Sequence, residues 1–313
     1  MERAIQTVLV GCLGVRKAEE VLILTDPARR PIADALVEGA RELESETVLM
    51  EMIEREMHGN EPPDFVAAAM RECDVLIAPT TKSLSHTEAR RAACANGVRA
   101  ATMPNITEEM LIRTMGADYS EVRRRAGALA GLLTEAREVR VVAEGGTSAT
   151  FVVDGRQGVA DDGDLTAPGS FGNLPAGEGF VAPVEGKTSG RIVFDGSIWP
   201  LGLLEEPLVV DVEDGYAASV SGSRADEFRS ILEPYGREAL AVAELGIGAN
   251  DKAKLTGNVL EDEKIMGTIH VAFGDNHTFG GTIRVSSHQD GVVLNPTVTI
   301  DSEVVLEGGR LLV

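Results

Sequence analysis

Residues 1–137 alternate short apolar runs with patterns typical of amphipathic helices. Bounded apolar runs predict strands, and apolar residues three and four positions apart predict helices. Strands that alternate with helices indicate βαβ units, and hence a mostly parallel sheet covered by helices. We expect strands over residues 21–25, 47–52, 74–80 and 97–104, and helices over residues 30–43, 63–73, 86–97 and 120–138.

The pattern changes after Glu138, where glycine becomes frequent and β-type runs dominate. A hairpin is predicted over residues 139–156, with Gly145-Gly146 near its turn, and one helix is predicted over residues 223–232. The sequence therefore predicts an α/β protein, α+β overall, with an α/β domain at 1–137 and a β-rich domain at 138–313. Further β-type runs cover residues 180–185, 190–196, 207–215, 282–288 and 297–305.

Composition indicates a folded protein with a substantial core, because 43% of the 313 residues are hydrophobic. No apolar run approaches the roughly 20 residues needed to span a bilayer. The first residues lack the basic and long apolar segments of a signal peptide, so a cytoplasmic location is expected. The three cysteines show no C-x-x-C spacing, which favours buried thiols over a disulfide or a zinc knuckle.

The net charge of −21 argues against a nucleic acid or an anionic membrane as a partner. The expected partner is instead a small molecule or a short peptide. An acidic surface favours solubility and is also typical of proteins from a salty cytoplasm, and composition does not separate these two explanations.

The residues most suggestive of chemistry lie between Gly267 and Asp290, which contain three of the five histidines. Residues two apart on a strand face the same side. The pair His288-x-Asp290 therefore offers an imidazole and a carboxylate to one metal ion, and His270 lies in a predicted buried strand. Nitrogen and oxygen ligands on adjacent strands suit zinc, manganese, cobalt or iron(II).

Two glutamates extend this set. Glu244 interrupts an apolar run, and a carboxylate there is costly to bury unless it is paired or bound to a metal. Glu178 follows Pro175 and Gly177 in a tight loop, where a glutamate is usually solvated. Taken singly, each candidate is more often a structural residue than a ligand, but together they form a coherent ligand set within the second domain.

The first domain offers weaker candidates. No G-x-G-x-x-G follows the first strand, so dinucleotide binding has little support. Lys82, Ser83 and His86 follow a predicted strand at the carboxyl edge of the sheet, where they can face a substrate. The simpler interpretation is that Ser85 or Thr87 caps the next helix and that His86 is solvated.

Four motifs together resemble the M29 aminopeptidases of the aminopeptidase T type, namely NLPAGEGFVAP (173–183), AELGIG (243–248), IHVAFG (269–274) and HQD (288–290). The segment KSLSHTEARRAA, followed by MPNITEEM, is similar to shorter relatives of the leucyl aminopeptidase kind. The resemblance implies two adjacent zinc, cobalt or manganese ions that activate a water and anchor a peptide's free α-amino group. It also implies a homodimer. The implied metal ligands are Glu178, Glu244, His270, His288 and Asp290, and Glu244 is also a candidate catalytic residue.

One position departs from this family. Many of its aminopeptidases carry a tyrosine seven residues beyond the first histidine ligand, where it stabilises the tetrahedral intermediate. His277 occupies that position here and is the candidate for the same role, although its pKa and reach differ from those of tyrosine.

The same superfamily includes ring-opening dioxygenases similar to 2,5-dihydroxypyridine 5,6-dioxygenase, which use one iron(II). His270, His288 and Asp290 would by themselves form such a two-histidine, one-carboxylate set. The missing tyrosine and the short chain favour this branch, whereas the retained Glu178 and Glu244 favour the hydrolase, which is the preferred interpretation from sequence. A non-catalytic metal-binding protein is a third alternative, although aromatic residues, which dominate many binding surfaces, make up only 4% of the chain.

Overall fold

The computed structural model describes residues 1–313 and contains eight α-helices. A π-helix at Thr7–Cys12 extends the first of them, and 3-10 turns cover Pro27–Arg29, Glu233–Tyr235 and Arg237–Leu240. The helices are α1 (Glu2–Gln6), α2 (Arg30–Glu42), α3 (Asp64–Glu72), α4 (Glu88–Ala95), α5 (Glu108–Thr114), α6 (Tyr119–Glu135), α7 (Ala225–Leu232) and α8 (Val259–Asp262).

Twenty strands form three sheets. They are β1 (Glu20–Thr25), β2 (Glu46–Glu51), β3 (Val75–Ala78), β4 (Arg99–Thr102), β5 (Glu138–Val142), β6 (Ser148–Val152), β7 (Val159–Asp161), β8 (Phe171–Asn173), β9 (Glu178–Val181), β10 (Ser189–Phe194), β11 (Ser197–Ile198), β12 (Gly202–Leu203), β13 (Leu208–Glu213), β14 (Tyr216–Gly222), β15 (Val242–Gly248), β16 (Ile269–Gly274), β17 (His288–Val293), β18 (Thr297–Ile300), β19 (Glu303–Glu307) and β20 (Arg310–Leu311).

The chain forms two compact units. The first contains Met1–Ser120 and Gly163–Ala176, and the second contains Glu121–Asp162 and Gly177–Val313. Most of α6 therefore belongs to the second unit, whereas the expected domain boundary near residue 137 assigned it to the first. Residues 163–176 return to the first unit because β8 pairs in parallel with β4.

The first unit is the expected parallel α/β sheet, with strand order β2-β1-β3-β4-β8. Strands β3 and β4 are buried along their whole length, as expected for a sheet covered on both faces. Thr87 is the N-cap of helix α4, since its side chain accepts a hydrogen bond from the Arg90 amide, and the helix ends before Gly97, whose φ is +96°. The cap interpretation of Thr87 is therefore confirmed.

The second unit contains two antiparallel sheets. One has eight strands in the order β14-β13-β10-β6-β5-β18-β19-β20, and the other has seven in the order β12-β11-β17-β16-β15-β9-β7. The two sheets share one apolar core, in which Phe194 and Phe228 make edge-to-face contacts with Phe273. Burying each phenylalanine contributes about 1.5–3 kcal/mol. This mixed architecture confirms the predicted fold class.

One predicted strand is wrong. The run at residues 282–288 was expected to be a strand, but regular structure begins only at His288. Side chains take the place of a strand partner here, because the Ile283 amide donates to Asn276 Oδ1 and the Val285 amide donates to Asp275 Oδ2. The segment is a closed loop whose polar groups are satisfied locally.

The cysteines are free, in agreement with the sequence analysis. Cys12 is buried and the other two are half-buried, and burial raises the pKa of Cys73 to about 12. None of the helices is both long and apolar enough to cross a lipid bilayer.

Candidate metal centre

The seven-stranded sheet of the second unit has one apolar face and one polar face. Leu245, Val271 and Phe273 belong to the apolar core. Residues that alternate with them point to the opposite side, because successive side chains on a strand alternate between faces. The polar face consequently collects side chains from β7, β9, β15, β16 and β17.

The register of these strands brings the candidate ligands into two neighbouring rows. Glu244 and Asp290 both pair with Ala272, which places the two carboxylates on either side of a small residue. His270 pairs with Gly246 in the next row, and a Cβ at Gly246 would lie 2.1 Å from the imidazole Nε2. The absence of a side chain at Gly246 therefore creates the space for the His270 ring.

Distances show that the five predicted metal ligands form one cluster. His270 Nε2 lies 3.0 Å from Glu178 Oε2 and 3.2 Å from Glu244 Oε1. His288 Nε2 lies 3.4 Å from Asp290 Oδ1 and 3.6 Å from Glu244 Oε2. His270 is fully buried and the three carboxylates are at most 9% exposed.

A backbone hydrogen bond orients the imidazole ring of His288. Its Nδ1 is 2.7 Å from the backbone carbonyl of Asp275, which accepts the ring proton and leaves Nε2 directed at the cluster. A histidine that binds a metal through one ring nitrogen commonly donates from the other in this way.

His277 is half-buried, and its Nδ1 lies 2.7 Å from Asp275 Oδ1. The same aspartate therefore contacts His277 through its carboxylate and His288 through its carbonyl.

Lys82, Ser83 and His86, the weaker candidates, belong to the first unit, where His86 is exposed and the Ser83 amide donates to His58 Nδ1.

Three charged residues at the centre were not predicted, namely Lys264, Asp161 and Glu263. Lys264 Nζ lies 2.5 Å from Glu178 Oε1, 2.7 Å from Glu263 Oε1 and 3.0 Å from Asp161 Oδ2. Lys264 and Glu263 belong to the charged sequence EDEK, and a run of this kind is typical of a solvated surface. The contacts of Lys264 with Asp161 and Glu178, both distant in sequence, show that it lies inside the centre instead.

The carboxylates of the cluster favour the protonated, positively charged form of its two histidines. Burial opposes protonation of His288, but Asp290 and Glu244 outweigh it and raise the pKa of His288 to about 10. In the same way, Glu178 and Glu244 raise the pKa of His270 despite its burial. Burial raises the pKa of Glu263 to about 8, so that carboxyl group is drawn toward its neutral form.

The residues present fit a divalent metal ion. Two groups of ligand atoms are close enough to share one ion, Glu178 with Glu244 and His270, and Glu263 with His270 and Asp290. Glu178 Oε2 is buried and makes no aligned hydrogen bond, although His270 Nε2 lies 3.0 Å away, as expected of an oxygen that a cation would satisfy. The fold therefore places glutamate, histidine and aspartate side chains in a buried centre that can hold a metal ion.

Comparison with known proteins assigns the family. The model of the NicX family, 2,5-dihydroxypyridine 5,6-dioxygenase, matches residues 1–313, and the chain belongs to this family. No curated protein sequence matches the chain.

Two solved structures share the fold. The 2,5-dihydroxypyridine dioxygenase from Pseudomonas putida KT2440 aligns with a TM-score of 0.85 at 20% identity, covering 99% of this chain and 96% of that one. Wild-type AmpT from Thermus thermophilus aligns with a TM-score of 0.74 at 16% identity, covering 100% of this chain and 98% of that one. The chain therefore shares its fold with both proteins.

Proposed function

We propose that this protein is an iron(II)-dependent ring-cleaving dioxygenase that acts on a small dihydroxylated aromatic ring of the 2,5-dihydroxypyridine type. The observation that carries the proposal is the donor set of His270, His288, Asp290 and Glu244 on one sheet face. Two imidazoles with a carboxylate are the ligands typical of non-haem iron(II) oxygenases. Two carboxylates with two neutral imidazoles also balance the charge of one divalent ion.

The family match over residues 1–313 supports the same activity. When bound, iron(II) supplies the redox chemistry that lets dioxygen react with an electron-rich aromatic ring. His270, His288 and Asp290 would hold it, and Glu244 would serve as a further ligand or accept a proton from the substrate. The protein's remaining task is to orient an aromatic ring beside this donor set and to limit the access of water.

Two phenylalanines suit that task. Phe279 lies edge-to-face against His288, with ring centroids 6.0 Å apart, and Phe180 lies edge-to-face against Phe279 at 5.5 Å. Aromatic side chains bind aromatic rings through their faces and edges and exclude water. His277, with Nδ1 engaged by Asp275, would use Nε2 to orient a ring hydroxyl.

An aminopeptidase is the second candidate, and one observation favours it. Glu178 contacts His270 and Lys264, and Lys264 also contacts Asp161 and Glu263, so three carboxylates lie where a second ion of zinc, cobalt or manganese would bind in place of the ammonium group. The fold shared with AmpT is compatible with this activity. Two ions would activate a water for attack on the peptide bond.

A paired assay tests the proposal. Protein loaded anaerobically with iron(II) is expected to consume oxygen and remove the ring absorbance when 2,5-dihydroxypyridine is added. Zinc-, cobalt- and manganese-loaded protein is expected to leave aminoacyl-p-nitroanilides intact. Hydrolysis of these substrates with no oxygen uptake would instead establish the aminopeptidase.

A ligand variant with a neighbouring control links the activity to the cluster. His288→Ala is expected to reduce oxygen uptake below detection, because it removes an imidazole ligand. Gln289→Ala, on the opposite face of β17, is expected to keep the activity. Circular dichroism and thermal melting would check that both variants fold, and a folded, fully active His288→Ala would contradict the assignment.

A further inference from the structure

Lys264 is almost completely buried beside the candidate metal centre. Its side chain is 2% exposed, and its Nζ lies within 3.0 Å of oxygens from three carboxylates, Glu178, Glu263 and Asp161. An ammonium group has three protons to donate, so each proton has its own carboxylate acceptor. This is an internal cation site built by the chain itself.

Glu178 joins this cation site to the metal ligands. Its Oε1 lies 2.5 Å from Lys264 Nζ, while its Oε2 lies 3.0 Å from His270 Nε2 without an aligned hydrogen bond. A carboxylate that spans two adjacent metal ions places one oxygen on each. Glu178 has the same arrangement, with an ammonium group on one side and the imidazole ligand on the other.

We propose that the Lys264 ammonium group takes the place of a second divalent ion and thereby restricts the centre to one metal. This inference rests on the proposed single-ion function and names the residue that would enforce it. The carboxylates of Asp161, Glu178 and Glu263 are hard oxygen ligands that suit manganese or magnesium when no ammonium group lies among them. The lysine cannot dissociate or be removed by a chelator, so it also holds Glu178 in position when the metal leaves.

Counting bound metal tests the proposal without using activity. Wild-type protein dialysed against manganese(II) is expected to retain one ion per chain by elemental analysis and calorimetric titration. Lys264→Met keeps the length of the side chain but removes its charge, and it is expected to bind two ions. Manganese resonance spectra are expected to change from an isolated-ion signal to an exchange-coupled one. Lys252→Met, which alters a half-exposed lysine beside Asp251, is the matched control and is expected to bind one.

Each outcome decides the question. One ion in a folded Lys264→Met, or two ions in the wild type, would overturn the role of Lys264. If Lys264→Met folds only when manganese is added and then contains two ions, the proposal is supported. A variant that stays unfolded at every manganese concentration would contradict it, because a dication would have failed to replace the ammonium group. Lys264→Arg retains the charge and is expected to bind one ion, so two ions in this variant would also contradict it.

Failure of this inference differs from failure of the proposed function. A wild type that binds one ion while Lys264→Met binds two, but that consumes no oxygen with 2,5-dihydroxypyridine, would refute the dioxygenase and leave the role of Lys264 intact. If the wild type consumes oxygen, but the wild type and Lys264→Met each bind one ion, the dioxygenase would be supported and the role of Lys264 refuted.

Discussion

At the scale of single residues, the candidate centre depends on where the chain provides space as much as on where it places charge. The i, i+2 spacing of His288 and Asp290 is visible in the sequence and puts their ligand atoms 3.4 Å apart. Lys264 leaves no such signal, because its partners Asp161 and Glu178 lie far earlier in the chain. Strand pairing joins Asp161 to Glu178, and Lys264 reaches both from the turn after α8, so local spacing does not encode the contact.

Gly246 provides a direct test of the space around His270. A Cβ added there would lie 2.1 Å from Cε1 and Nε2 of the imidazole, so Gly246→Ala must move the ring. We expect metal affinity to fall by about 10–100-fold, the range found when groups that orient a ligand are altered. Calorimetric titration with iron(II) or manganese(II) would measure the change.

The matched control is Gly127→Ala. Gly127 is in the middle of α6, and no atom lies within 4 Å of the position its Cβ would take. Alanine in a helix is favoured over glycine by roughly 0.5–1 kcal/mol, so this variant is expected to melt at a slightly higher temperature and keep its metal affinity. Equal metal binding by Gly246→Ala and the wild type would show that the ring does not need this space.

At the scale of elements, the loop from Asp275 to Ser287 explains why one predicted strand fails to form. The buried side chain of Asn276 accepts from the Ile283 amide and donates to Glu185, so the loop folds around an internal polar group. Alternating apolar residues at 283 and 285 satisfy the pattern of a strand, but their amides donate to side chains and not to a neighbouring strand. Periodicity predicts which residues face inward and leaves their hydrogen-bond partners undetermined.

The same loop is expected to control the candidate metal ligand His288. Glu185 accepts from Asn276 Nδ2 and the Thr282 amide and pairs with Arg156, which also donates to the Gly280 carbonyl. Glu185→Ala removes these charged hydrogen bonds, each worth about 1.5–3 kcal/mol. We expect faster amide hydrogen exchange across residues 276–285 and weaker metal binding, because the Asp275 carbonyl that orients His288 belongs to this loop.

Hydrogen exchange followed by mass spectrometry would locate this effect. Exposed Glu303, on β19, offers a control, and Glu303→Ala is expected to leave exchange in the loop unchanged. If Glu185→Ala loosened the loop without changing metal affinity, the orientation of His288 would depend on β17 alone.

At the scale of the whole molecule, alternation of strands and helices was sufficient to predict the parallel sheet, and glycine-rich β-type runs were sufficient to predict the antiparallel half. The connectivity between them was not predictable. Residues 163–176 leave the β-rich unit so that β8 can pair with β4, and three paired residues in β8 carry little periodic signal. Short parallel edge strands depend on a partner that is distant in sequence, and their own composition does not identify it.

The net charge of −21 leads to a prediction for the entire chain. Like charges at the surface repel one another in the folded state, and this repulsion weakens as salt shortens the screening length from about 10 Å near 0.1 M to about 3 Å near 1 M. We therefore expect the melting temperature to rise with sodium chloride, by about 1.5 °C for each kcal/mol of repulsion removed, since the unfolding entropy scales with chain length. Calorimetry of the metal-loaded protein keeps the candidate centre constant while salt varies.

Potassium chloride should reproduce the curve, because screening depends on ionic strength and not on the identity of the cation. A melting temperature that stays level or falls over this range would mean that acidic groups are already balanced locally, as in the Lys17–Glu44 and Arg191–Asp211 pairs, and that the acidic surface serves solubility alone.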